Sequence, residues 1–329
     1  GNRSEQGSSL SYLLRAGYCQ RGLRGSRVRG PLLWFGGKGN MTKKIVPLFP
    51  PHKTYVEPFG GGASLLFAKE PSPIEVYNDI DSGLVNFFRV LRDPEKFARF
   101  YHLVSFTPYS REEYTSCRGI WESCEDDVER AYRWYVVARQ SFGGIFGSSW
   151  GYARGASVGG MAMACSTWLS ALRNLPAIHD RLMRVQIEHA DFRDIFRNYD
   201  SPETLFYVDP PYVQHTRRAG QYAHEMTDED HRELVDILLR IDGMAVVSGY
   251  NNEIYSPLDV AGWKRVDFHT ASFCAAKTRG TGILGDGAAL AKVPRTESVW
   301  RSPSCLRASN CRTPGMFEQD DSAEDDPLT

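Results

Sequence analysis

Asp209-Pro210-Pro211-Tyr212 combines residue types that could do chemistry at an exocyclic amine. It follows the apolar run Thr204 to Val208, whose aromatic and β-branched residues read as a buried strand. The two prolines lack N–H groups and fix their own φ, so they cannot extend that strand. The segment therefore ends at the carboxyl edge of a sheet, where open α/β sheets place their ligands. Asp209 brings a carboxylate, Pro210 a carbonyl and Tyr212 an aromatic face. Two acceptors beside a stacking platform suit a flat base that carries an amino group. A Pro-Pro turn whose aspartate caps local backbone accounts for the same four residues without chemistry.

A second constellation lies upstream. Thr54 to Pro58 reads as a strand, Phe59-Gly60-Gly61-Gly62-Ala63-Ser64 as a loop, and Leu65 to Lys69 as the start of a helix. Glycines between a strand and a helix let the backbone approach a ligand closely. The next strand, Ile74 to Tyr77, ends in Asn78-Asp79, and Asp79 falls about twenty residues after the first glycines, the usual place of an acid that holds ribose hydroxyls. Taken alone, this half fits a nicotinamide dinucleotide nearly as well as S-adenosylmethionine.

Together the two constellations resemble the Dam-type, amino-methylating DNA adenine N6-methyltransferases. Trp34-Phe35-Gly36-Gly37-Lys38 is similar to that family's Trp-x-Gly-Gly-Lys element beside the cofactor, and Val56-Glu57-Pro58-Phe59-x-Gly61 to its Pro-Phe-x-Gly loop. Asn78 to Asp81 is similar to its Asp-Ile-Asn segment, and Asp209 to Tyr212 matches its catalytic tetrapeptide in full. Val247 to Asn251 and Arg295 to Trp300 resemble its later strands, so the likeness runs over roughly residues 31–303. Two departures stand out. Ala63 occupies a place where many members have glycine, which touches cofactor affinity. The segment between the halves also lacks the Asn-Gly-x-x-Arg wording, which leaves the DNA target open.

The resemblance implies methyl transfer from S-adenosylmethionine to the N6 amino group of a flipped adenine in double-stranded DNA. Asp209, Pro210, Pro211 and Tyr212 are then the catalytic residues. Trp34, Lys38, Phe59, Gly61, Asp79 and Asp209 border the cofactor. Arg139, Arg154, Arg217 and Arg218 are candidates for DNA contact, with Tyr222 closing the pocket. No covalent intermediate is needed, hence no catalytic cysteine. RNA adenine, cytosine-N4 and protein-glutamine methylation share this chemistry, although serine usually replaces the aspartate in the cytosine enzymes and asparagine in the glutamine enzymes. A non-catalytic DNA-binding relative is the remaining alternative, against which the intact Asp209 and Tyr212 speak.

Composition narrows the setting. A chain of 329 residues with 42% hydrophobic and 24% charged residues has room for a full α/β core and a subdomain. No apolar run approaches membrane-spanning length, and no secretory signal is visible. The seven cysteines show no Cys-x-x-Cys, so neither a disulfide framework nor a zinc site is expected, and a cytoplasmic monomer in a bacterial or phage-infected cell is. A cognate restriction enzyme is compatible with this reading but not implied by it. The net charge of −1 conceals an uneven distribution. Residues 1–30 hold six arginines against one glutamate, residues 317–329 six acids and no base, and residues 130–190 seven arginines against Asp180 and Glu188. The last segment fits either phosphate contacts or a solvated helical face.

The positioning elements follow from periodicity. Residues 1–30 and 304–329 read as a disordered basic arm and a disordered acidic tail. Between them the pattern predicts a cofactor-binding part over 31–94, an α-rich insert over 95–183 for target recognition, and a catalytic part over 184–303. Expected helices include Lys43 to Phe49, Gly83 to Arg92 capped by Ser82, one opened by Ser110 to Glu113, and Val128 to Phe142. Gly143 to Ala164 reads as a loop whose Phe146, Trp150 and Tyr152 either meet a duplex or fold back as an apolar cap. Ser166 to Leu175 and Pro176 to Met183 read as two helices, and Asp191 as an N-cap or a neighbour of the cofactor's adenine. The alternation as a whole predicts an α/β fold, a Rossmann-like doubly wound sheet with an α-rich inserted subdomain.

Overall fold

The computed structural model describes residues 28–34, 36–212, 225–271 and 294–310. Its centre is a seven-stranded sheet built from β1 (Thr54–Glu57), β2 (Ile74–Asn78), β5 (Val185–Glu188), β6 (Thr204–Val208), β7 (Met244–Gly249), β8 (Lys264–Ala271) and β9 (Pro294–Arg301). The spatial order is β5-β2-β1-β6-β7-β9-β8. All neighbours from β5 to β7 are parallel, and β9 runs antiparallel to both β7 and β8. Chain order moves outward from β1 to β2 and β5, then returns to β1's other side with β6. The carboxyl ends of β1 and β6 therefore flank the topological switch point, where such sheets open a ligand crevice.

Strand alternation divides the core in two, as expected of a parallel sheet covered on both faces. Tyr55, Tyr77, Leu205, Tyr207 and Val246 face one apolar cluster, and Val56, Val76, Phe206, Val208 and Val247 face the other. On the first face lie α1 (Thr42–Ile45), α2 (Ser64–Ala68), α3 (Ser82–Arg92), and the helices α4 (Pro94–Ser105), α5 (Arg111–Ile120), α6 (Asp127–Gln140) and α7 (Met163–Leu182). The second face carries α8 (Phe192–Tyr199), α9 (Asp228–Leu238) and α10 (Ser256–Val260). Helix α6 packs on α3, α4 and α5, with the Phe87 and Tyr135 rings stacked at 5.2 Å. The helices of residues 94–182 thus share a continuous apolar core with one face of the sheet. Among the described residues, no helix is long and apolar enough to cross a membrane.

Several local expectations change. The helix expected over Lys43 to Phe49 divides into α1 and a 3₁₀ turn, Val46–Leu48. Asp81, not Ser82, caps α3, because its carboxylate accepts from both the Gly83 and Leu84 N–H groups. Helix α6 stops at Gln140, and Ser141 turns the chain into extended backbone before Phe142. The two helices expected around Pro176 are one, α7. Leu172, Leu175, Ile178 and Leu182 are buried on both sides of the proline, and their burial outweighs its lost hydrogen bond. Within the expected loop, β3 (Ser157–Val158) and β4 (Met161–Ala162) form a short exposed hairpin.

The ends also differ from expectation. Val28 N–H donates to the Phe67 carbonyl, and the Arg29 carbonyl accepts from Asn174, so the last residues of the expected arm lie on the body. The expected tail begins instead as a helix, α11 (Pro303–Asn310), with Cys305 fully buried. Ser302 caps it by accepting the Cys305 N–H, and Pro303 takes the first-turn place where its missing N–H costs nothing. Arg217, Arg218 and Tyr222 lie outside the described residues.

Candidate active site

The loop after β1 is shaped by contacts that exclude side chains. A Cβ on Gly60 would fall 2.2 Å from the Tyr77 ring, and Gly61 has φ +50°, the left-handed region. Ala63 shares that region at φ 54°, the one non-glycine residue with positive φ among the described residues. Gly61 N–H donates to Asp79 Oδ2 at 2.8 Å, while Asp79 Oδ1 accepts from Asp81 N–H at 2.9 Å. Asn78 braces three strand ends: its Nδ2 donates to the Pro58 and Ala190 carbonyls, and its Oδ1 accepts the Ala190 N–H. Loop and braces enclose a cavity of about 360 Å³ at the switch point. That is within the roughly 300–1,000 Å³ of small-molecule sites. Trp34, Phe59, Ile80, Phe192 and Met226 form its apolar walls, with Asp79, Asp191 and Asp209 among its acids.

Lys38 enters from a turn closed by Gly37 N–H on the Trp34 carbonyl, and is 5% exposed. Its ammonium donates to Asp209 Oδ1 at 2.7 Å, to Asp209 Oδ2 at 2.9 Å and to the Tyr212 hydroxyl at 2.6 Å. The Tyr212 hydroxyl in turn donates to Glu297 Oε1 at 2.5 Å, and Glu297 lies 3.3 Å from the Lys38 ammonium. Burial works against the lysine's charge, yet Asp209 and then Glu297 outweigh it and raise Lys38 well above the ordinary lysine pKa. Lys38 is therefore a fixed cation. Burial also pushes Asp209 up to about 6, with Lys38 opposing the rise and Glu297 adding to it. Asp209 remains mostly ionised at neutral pH, but not by a wide margin.

Glu57, at the end of β1, is a second unusual carboxyl. Burial pushes it up to about 8, against the hydrogen bonds it accepts from Tyr55 and Leu66 N–H. At neutral pH this side chain of the cavity wall is mostly a neutral acid.

Trp34, Lys38, Phe59, Gly61, Asp79, Asp209, Pro210 and Pro211 all border the same cavity. Tyr212 stands behind it: its ring packs 4.4 Å from that of Tyr250 and lines a second depression of about 10 Å³ on the far side of Pro210. Asp191 caps α8 through Arg193 N–H, as one of its two expected roles has it, and also lines the cavity. Arg139 is half-buried at the end of α6 and donates to the Thr167 carbonyl of α7, which ties it to that helix pair. Arg154 is exposed beside Tyr152, and Trp150 and Tyr152 stack at 5.9 Å under the Arg111 guanidinium. Phe146 folds back onto Trp134, 5.3 Å between centroids.

Sequence reasoning singled out neither Glu57, Asn78 nor Glu297 for a role. Glu57 carried one usable signal, an acid at the last position of an otherwise apolar strand. Glu297 carried none locally, since its place follows from strand pairing. Among the described residues, no three His, Cys, Asp or Glu side chains are grouped to hold a metal.

The family model of D12 class N6 adenine-specific DNA methyltransferases matches residues 34–265. A DNA N-6-adenine-methyltransferase of Escherichia phage P1 is 26% identical over 211 residues, which cover 62% of this chain and 27% of that protein. A Type II methyltransferase of Lactococcus lactis subsp. cremoris is 27% identical over 265 residues, covering 75% of this chain and 88% of that protein. The chain thus spans about a quarter of the phage relative and most of the lactococcal one.

Proposed function

This chain belongs to the D12 class of N6 adenine-specific DNA methyltransferases, and from that premise we propose that it methylates the N6 amino group of adenine in double-stranded DNA with S-adenosylmethionine as donor. The observation that carries the reading is that Asp209 and Pro210 form one wall of the cavity whose other wall is the Gly60–Gly62 loop. Amine acceptor and cofactor cradle thereby share one small space.

The residues present fit S-adenosylmethionine. The close-approach loop suits its methionine end, Asp79 its ribose hydroxyls, and Ile80 with Phe192 its adenine. When bound, the cofactor supplies an electrophilic methyl group. The protein's own part is to make the adenine amine a better nucleophile, since its lone pair is delocalised into the ring. Hydrogen bonds from the amino hydrogens to the Asp209 carboxylate and Pro210 carbonyl favour a pyramidal nitrogen and stabilise the positive charge that develops there. Lys38 holds that carboxylate in place from behind. In a duplex the amine is stacked out of reach, so the base flips out, at a cost of a few kcal/mol, and stacks against Tyr212 or its neighbour Tyr250. Arg154, exposed on the glycine-rich loop, is the proposed DNA contact of the insert, and a monomer suffices for every role named.

Transfer of tritiated methyl groups to duplex DNA, followed by digestion to nucleosides, tests the reading. N6-methyl-2′-deoxyadenosine as the labelled product supports it. Label in N4-methylcytosine, label in RNA only, or no incorporation despite cofactor binding would each replace it with a different activity.

A further inference from the structure

Glu297 sits in the run Thr296-Glu297-Ser298-Val299-Trp300, 85 residues after Tyr212, with nothing local to suggest chemistry. Strand pairing brings it to the site. β9 runs antiparallel to β7 with Ser298 opposite Gly249, the last residue of β7. Glu297 therefore falls one step past the end of β7, on the side of the sheet where the chain leaving β6 carries Asp209 and Tyr212. It is 7% exposed there, a costly place for a carboxylate that does nothing.

Its contacts impose a direction on the hydrogen bonds. The Tyr212 hydroxyl has one proton and donates it to Glu297 Oε1 at 2.5 Å, so its oxygen is left to accept from the Lys38 ammonium at 2.6 Å. Lys38 in turn grips both oxygens of Asp209. The chain Glu297, Tyr212, Lys38, Asp209 is thus oriented from one end. We propose that Glu297 is a positioning residue of the methyl-transfer site, acting through Tyr212 and Lys38 to fix the geometry and electrostatic surroundings in which Asp209 meets the target amine.

The proposal rests on the methyl-transfer reading above for its catalytic consequence, but not for its electrostatic one. The titratable groups facing Asp209 among the described residues are Lys38 from the Trp34–Gly37 turn, Glu297 from β9 and Glu57, mostly neutral, from β1. The hydroxyls of Tyr207 from β6, Tyr255 from the turn after β7 and Tyr212 complete its surroundings. Glu297 is the carboxylate that weighs against Asp209 most, and Lys38 offsets it. Glu297→Gln keeps both shape and acceptor for Tyr212 while deleting that negative charge. Asp209 should then lose its proton at lower pH.

Two variants and two readouts test this. In Glu297→Gln, the acid limb of the pH–kcat/KM profile should move to lower pH. The carboxyl ¹³C titration of Asp209, assigned by its loss in Asp209→Asn, should move in the same direction. In Glu297→Ala, kcat should fall by roughly 10–100-fold through misorientation, with cofactor Kd and the KM for DNA held within about twofold. An Asp209 titration that coincides in wild type and Glu297→Gln would overturn the proposal, as would full turnover in Glu297→Ala. The carboxyl titration needs no activity, so a protein that fails to methylate DNA would refute the functional reading and still leave this inference open to its own test. If Glu297→Ala does not fold, Glu297→Gln alone decides.

Discussion

Opposite edges of the sheet hold two buried lysine–carboxylate clusters made of nearly the same parts, put to different use. At the amino edge, Glu75 accepts from Lys69 at 2.7 Å, from Arg181 at 2.8 Å and from Ser72 N–H at 2.9 Å. Ser72 continues to His52, and Arg181 also donates to the Leu66 carbonyl. Burial works against the Glu75 charge, yet two cations overcome it and hold the group below the usual carboxylate range. At the carboxyl edge the ratio is reversed, with Lys38 between Asp209 and Glu297, and Asp209 is pushed up instead. The first cluster is closed on all sides and joins α2, β2 and α7. The second opens on a cavity. An excess of cations makes a lock, and an excess of carboxylates beside a cavity makes a group whose proton affinity a substrate can use.

Substitutions at the two edges separate these roles. Asp209→Ala should produce the largest effect on chemistry, a loss of transfer of about 10²–10⁴-fold, with cofactor binding weakened but measurable. Methyl incorporation and equilibrium dialysis check both halves, and near-normal turnover would break the comparison. Arg181→Ala should do the opposite. Removing one partner of this buried ion cluster should cost roughly 3–5 kcal/mol of stability, read from urea unfolding, while the folded fraction still methylates at low temperature. At Glu57 the effect is confined to how stability depends on pH, because the folded-state value of about 8 stands above the ordinary 4.5. A carboxyl raised in this way contributes stability that is fully present below pH 4.5 and is lost as pH rises through 8. Wild-type stability should decline across that window, and Glu57→Gln should flatten the decline. An unchanged slope would show that Glu57 does not titrate as described.

The parts of the site that could be read from sequence are those whose chemistry and position are encoded together. Asp209 to Tyr212 announced its place by following an apolar strand with prolines, and the Gly60–Gly62 loop by separating a strand from a helix. The doubly wound α/β sheet followed from the same alternation. The unread parts depend on register. Glu297 reaches Tyr212 because β9 pairs antiparallel with β7, and no local pattern states that pairing. Asn78 looks like any strand-end asparagine until Pro58 and Ala190 converge on it. Some misses were avoidable. Ser302-Pro303 is a helix-opening pair, and it foretells the helix Pro303–Asn310.

The place of β9 has a consequence for how this protein comes into being. β8 emerges before β9, yet in the finished sheet β9 separates it from β7 and is the strand it pairs with. Until β9 is made and threaded between them, β7 keeps an apolar edge open to foreign strands, a hazard for any chain on or just leaving the ribosome. The same event delivers Glu297. A chain in which β9 has not yet closed the sheet therefore has both an open apolar strand edge and a cavity wall without Glu297 behind it. A pulse-labelled nascent chain arrested before β9 should be sticky and silent, and both properties should vanish together on release.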